Sequence, residues 1–177
     1  ARQEELGHFK GEGGTNDLNP SGELLGAHEV VILARELGVE GTCTEPIASV
    51  DGMVDWAKPA VCGLQKKFGS DVFDVLDRPL DQPITREDVA ELQVRVLNLP
   101  IPKNTDEILK NFPDRNQMSV KAQDAIAATI EAGIFKGDDA GTFRPQAGMN
   151  RAEGTKVNSV AHDIVDSENA SIIDPIY

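Results

Sequence analysis

The chain has 177 residues, enough for one domain with a full core or for an array of small repeats, and its hydrophobic content of 40% is that of a globular protein. Thirty acids against 17 bases give a net charge of −13, which argues against nucleic acid, where clustered Lys and Arg are needed to neutralise phosphate, and against an anionic membrane surface. No apolar run approaches the roughly 20 residues of a membrane span, and the start at Ala1, without Met or a basic-then-apolar leader, reads as a processed or excised fragment.

In chain order, the first informative string is Gly7-His-Phe-Lys-Gly, followed by an acidic, Gly-rich stretch to Pro20 and then Gly26-Ala-His-Glu29. Gly26 with Glu29 is a weak helix-capping pair. Val30, Leu33 and Leu37 follow at helical spacing, and Gly38 stands where a C-terminal cap belongs. Cys43 and Cys62 match no metal motif. They are either two free thiols, with Cys62 buried on a helix, or one disulfide in an oxidising compartment. The bridge would contribute about 3 kcal/mol on the chain-entropy model.

Met53 to Phe68 reads as a helix ending at Gly69, with Pro59 near its start, where backbone donors lack intrahelical partners. Pro83-Ile-Thr85-Arg-Glu-Asp88 opens the next helix, with Thr85 and Asp88 as a cap pair, Val89, Leu92 and Val96 as its apolar face and Asn98 as its stop. Thr105 to Asn111 predicts a short helix. Ser119 to Ala132 predicts a longer one, capped by Ser119 and burying Ala122, Ala125, Ile126 and Thr129. The loop Gly137-Asp-Asp-Ala-Gly-Thr-Phe-Arg-Pro145 uses Gly to turn and Pro to separate helices, while Phe135 and Phe143 plug the space between them. Asn150 and Glu153 cap the last helix, with His162-Asp163 near its C-terminal end. Strand signals are few, so the chain reads as all-α.

The segments recur. Phe-Lys-Gly, acid and Gly, Thr, Pro and a closing acid appear in the same order at 7–29 and 133–153, and a middle copy ends at Asp88. The closing acids at 29, 88 and 153 give steps of 88 − 29 = 59 and 153 − 88 = 65, a period of about 60 residues. Chemistry of other kinds has little purchase. His8, His28 and His162 have no nucleophile at a recognisable spacing, no phosphate-cradling Gly-Lys-Ser/Thr string occurs, and Asp138 and Asp139 lack the twelve-residue spacing and distal Glu of a calcium loop. No catalytic residue, cofactor or metal is expected.

Phe112-Pro-Asp114, Ala125-Ile126, Glu131-Ala-Gly-Ile134, Lys136-Gly137, Gly141-Thr-Phe-Arg-Pro145 and Asn150-Arg-Ala-Glu153 together resemble the S-layer homology repeat. The middle stretch supplies Asp51, Trp56-Ala57, Ala60-Val61 and Ile84 to Asp88, and the first supplies only the second half of the pattern. The resemblance implies three helix–loop–helix repeats (a partial one at 1–40, then 41–100 and 101–166, with a tail at 167–177) packed as one pseudo-threefold module. It implies an extracellular wall anchor that binds an anionic secondary cell-wall polysaccharide, often pyruvylated. Carried over by position, Arg86 and Arg151 would hold the acid, Trp56 would line the groove, Asp51 and Asp114 would meet sugar hydroxyls or fix loops, and Gly137 would belong to the ligand loop. A guanidinium fork at a helix start suits that role. The pattern's Trp falls at Lys121 in the third copy and its Arg at Ala27 in the first. These losses support an alternative, a structural adaptor that packs against other protein subunits in an envelope layer. Each singled-out side chain also has a plain reading: solvated helix starts for the arginines, core for Trp56, loop caps for Asp51 and Asp114.

Overall fold

The computed structural model describes residues 21–172. The first string of the repeat pattern, Gly7 to Pro20 with His8, and the end of the tail lie outside them. The described residues form helices and no strand. In order these are α1 (Gly26–Glu36), a 3-10 turn (Asp55–Ala57), α2 (Lys58–Phe68), α3 (Arg86–Leu97), α4 (Thr105–Leu109), 3-10 turns at Arg115–Gln117 and Val120–Ala122, α5 (Gln123–Glu131) and α6 (Arg151–Ile172).

Three short segments preceding α1, α3 and α6 meet at the centre. Leu24 N–H donates to the Met149 carbonyl (2.9 Å), Met149 N–H to Ile84 (3.1 Å) and Ile84 N–H to Leu24 (3.0 Å), so the three bonds close a ring. The first residue of each following helix extends it: Gly26 N–H donates to Gln82 O, Arg86 N–H to Ala147 O and Arg151 N–H to Gly22 O, at 3.0 to 3.1 Å. Backbone donors at helix starts have no intrahelical acceptor, and here neighbouring segments satisfy them. Two apolar clusters flank the ring. One is built on Leu24, Ile84, Ile126, Phe143 and Met149, the other on Val30, Leu33, Val61, Leu64 and Leu92.

The caps follow the sequence at α3 and α6. Thr85 Oγ1 accepts from Asp88 N–H (3.3 Å), and Thr85 N–H donates back to Asp88 (3.3 Å). Asn150 and Glu153 exchange the same two bonds at 2.9 and 3.0 Å. At α1 the register is one residue earlier than the sequence suggests. Leu25 is the cap, Gly26 is the first helical residue, and Leu25 N–H donates to His28 Nδ1 (3.2 Å). The capping position is therefore His28, and the helix-start position matching Arg86 and Arg151 is Gly26, not Ala27. An added Cβ at Gly26 would stand 3.1 Å from the Leu80 Cα, so a side chain is crowded out there.

Gly38 and Asn98 end their helices in left-handed geometry, at φ 65° and 50°. Other boundaries differ. The helix expected from Met53 opens instead as a 3-10 turn, and the α-helix begins at Lys58 with Pro59 in its first turn, because proline brings no N–H for an earlier start. Ser119 sits at the N-cap, but its side chain donates to buried Glu87 (2.6 Å) and does not cap. The short helix stops at Leu109. His162 lies mid-helix, because α6 runs on to Ile172.

Cys43 and Cys62 are joined by a disulfide, with Cα atoms 5.8 Å apart across 19 residues. The same loop is held from α2 by Gln65, whose Oε1 accepts from Ile47 and Ala48 N–H and whose Nε2 donates to the Ala48 carbonyl. Replacing the cysteines together (C43S with C62A) should lower unfolding free energy by about 3 kcal/mol in denaturant melts, the value for a loop of this length. A loss under about 1 kcal/mol would mean that Gln65 alone fixes the loop.

Candidate functional site

The start of α3 faces the loop between α5 and α6. Arg86 is buried there (7% exposed), with its guanidinium over the rings of Phe135 and Phe143 at 5.0 and 5.2 Å. Its Nε donates to the Phe143 carbonyl (2.7 Å) and one terminal nitrogen to the Lys136 carbonyl (3.4 Å). Glu153 lies 3.6 Å from the other. Burial pushes the guanidinium pKa down and Glu153 opposes the shift, yet an arginine stays charged.

Above Arg86 opens a cavity of about 330 Å³. Its polar lining holds four cations, Arg86, Lys136, Arg144 and Lys156, and three acids, Asp138, Asp139 and Glu153. The lining itself balances at +1 in a chain of net −13, with Asp114 as a further acid acting on Arg86 from beneath the loop. Gly137 lines it as well. A Cβ on Gly137 would stand 3.2 Å from the Gly141 carbonyl carbon and 3.3 Å from Phe112, so the loop closes on itself where the glycine leaves room.

Asp114 builds this loop from below. It is 7% exposed, and it accepts from Phe143 N–H (3.0 Å) and Arg144 N–H (2.6 Å). Both of these bonds are to backbone, so the carboxylate ties residues 143 and 144 to the segment that carries Asp114. Arg144 adopts φ 57°, a left-handed conformation that costs a non-glycine residue about 1–2 kcal/mol, and its side chain reaches Glu153 (3.1 Å) and Asp138 (3.4 Å). Asp138 in turn accepts from Ala140 N–H, Thr142 N–H and the Thr142 hydroxyl, bonds that hold its pKa below the ordinary value. The two aspartates thus shape the loop. Among the described residues no cluster of metal-ligating side chains occurs.

The remaining residues picked out by sequence do not converge on this cleft. Trp56 is 52% exposed, so it is not core, and its ring stacks on His28 of α1 at 5.2 Å, outside the cavity of Arg86. Lys121 pairs with Asp77 (2.8 Å) and Glu91 (3.4 Å). Asp51 is exposed beside a separate hollow of about 210 Å³, and its carbonyl accepts from Leu80 N–H. Arg151 is buried at the start of α6, 8% exposed, with its N–H on Gly22. Sequence reading passed over Arg144 and Lys156. Lys156 could have been found, since Glu153, Lys156 and Val157 follow at helical spacing on one face.

The described residues thus form a helical module with a small cleft at a helix start, floored by aromatic rings and closed by a Gly-Asp loop. Residues 111–153 match the family model of the S-layer homology domain. That stretch contains the cleft loop, Asp114 and the start of α6. S-layer homology domains are cell-envelope anchoring modules that bind cell-wall polysaccharide, and their presence associates a chain with the cell surface. No curated protein matches the chain in sequence. Among the described residues no helix is long and apolar enough to cross a membrane.

Proposed function

We propose that this chain is a non-catalytic anchoring module that holds an anionic, carboxylate-bearing wall polysaccharide, such as a pyruvylated one, in the cleft above Arg86. The carrying observation is the cationic balance of that cleft in a strongly acidic chain. A sugar acid entering it meets Lys136, Arg144 and Lys156 at the rim and Arg86 at the floor, while the volume suits one or two sugar rings. Screening confines the repulsion from distant acids to about 8 Å at physiological salt, so a local island is sufficient. Gly137 lets the loop backbone approach the ligand. Trp56 on His28 offers a separate half-exposed ring face for a further sugar, and Arg151 is the helix-start arginine of a second groove.

In this reading the module spans 1–177 as three repeats, about 1–40, 41–100 and 101–166, around a pseudo-threefold axis. The closed ring of Leu24, Ile84 and Met149 bonds supports it, because each pre-helix segment donates to one neighbour and accepts from the other. An extracellular place on the wall or surface layer follows.

One observation favours the adaptor alternative: the Arg86 guanidinium already has carbonyl, carboxylate and ring partners within the chain. Co-sedimentation with purified secondary cell-wall polymer separates the two. Wild type should sediment with the polymer, and R86A combined with R151A should lose at least tenfold in affinity, with thermal melts confirming that the variant is folded. Removal of the polymer's acidic substituents should have the same effect. If wild type stays in the supernatant with intact polymer, the anchor reading fails and the adaptor reading stands.

A further inference from the structure

The first turn of α1 carries a carboxylate that the ligand cleft does not use. Glu29 is fully buried, where α1 packs on α6 and α6 also meets α3. Asn158 of α6 donates through Nδ2 to both Glu29 oxygens (3.1 and 3.0 Å) and to the Gly154 carbonyl (2.9 Å), so one amide nitrogen with two hydrogens faces three acceptors. Gln93 of α3 donates to Asn158 Oδ1 (3.2 Å), and Gln93 Oε1 is buried with no donor. A fully buried carboxylate with neutral amide partners is costly to keep charged, and a proton on Glu29 removes that charge.

We infer that the seam between the first and last described helices is latched by a proton on Glu29, which is released when the seam opens. The charged groups facing it fit this role. Glu36, two turns along α1, adds negative charge, and it is paired with His162 of α6 at 2.9 Å. Gln93 of α3 and Asn158 of α6 are neutral. Burial raises the Glu29 carboxyl from its ordinary 4.5 to about 7, reinforced by Glu36 and opposed by the hydrogen bonds of Asn158 and Gln93. The closed seam therefore binds more protons than the open one between pH 4.5 and 7. Closure is strongest in acid and weakens as pH rises through that window, with no further loss well above 7.

Hydrogen exchange of the α6 amides around Asn158, measured without polysaccharide, tests the latch independently of any ligand. Comparing wild type with E29Q between pH 5 and 6 isolates Glu29, because every other titrating group is common to both. Protection factors in wild type should fall by about sevenfold across that unit, and in E29Q, whose amide stays neutral at every pH, this fall should disappear. An equal fall in E29Q, or none in wild type, overturns the inference. Should E29Q fail to fold, carbon NMR titration of the Glu29 carboxyl in wild type decides: a midpoint near 7 supports the latch, and one near 4.5 overturns it.

Discussion

Gly63→Ala should cost about 4 kcal/mol and lower the melting temperature by 10 °C or more. By helix propensity alone the substitution would stabilise α2 by about 1 kcal/mol, so the sign rests on packing. An added Cβ would stand 2.1 Å from the Val39 carbonyl oxygen and 2.9 Å from its carbon. These are backbone atoms in the turn after α1, which cannot rotate away. Nor can the turn retreat, since the next loop residues are bound to α2 by the Cys43–Cys62 bridge, one residue from Gly63. Two other glycines make the contrast. Gly41→Ala has open space around it and pays only for φ 77°, about 1–2 kcal/mol. Gly154→Ala would meet the tip of Leu24 at 2.6 Å, a side chain that can shift, so its cost should be intermediate. Thermal unfolding of the three variants under oxidising conditions gives the order directly. If Gly63→Ala falls within 1 kcal/mol of wild type, α2 does not approach residues 39–42 this closely.

The readable parts of the fold were those whose causes are local. Thr85 with Asp88 and Asn150 with Glu153 announce their helices because cap and partner lie three residues apart, and the apolar spacing of Val89, Leu92 and Val96 needs no distant information. Local signals also mislead. Glu29 imitates the closing acid of a cap, but the true partner of Leu25 is His28, and Glu29 is turned inward to Asn158, 129 residues away. Ser119 looks like a cap, but Glu87, 32 residues earlier, takes its hydroxyl. The cleft was legible in half. Arg86 and Gly137 were visible through the family pattern, whereas Arg144 and Lys156 enter only because the loop and α6 fold back over the start of α3. Trp56 could not be separated from Arg86 by sequence, since their common pattern does not say which neighbouring helix each ring or guanidinium meets.

Asp114→Ala should be the costliest change in the cleft region, about 4 kcal/mol, and should remove ligand binding together with stability. Phe143 N–H and Arg144 N–H both donate to its carboxylate, and the Phe143 site is fully buried. Charge-assisted bonds of this kind contribute about 1.5–3 kcal/mol each, and the truncation leaves donors unsatisfied away from water. Arg144 then loses the contact that holds it at φ 57°, and Phe143 is freed from its edge contacts with Phe135 and Phe112, at 5.5 and 6.2 Å. Because Arg86 stacks on Phe143 and donates to its carbonyl, the floor of the cleft shifts as well. Asp114→Asn keeps one carbonyl oxygen as acceptor, so it should cost about half as much. Calorimetric melts give the stability order, Asp114→Ala below Asp114→Asn below wild type, and polymer co-sedimentation well below the melting point gives the binding order. A variant that keeps its melting temperature but loses binding would place Asp114 against the ligand itself, and the loop-fixing role would be withdrawn.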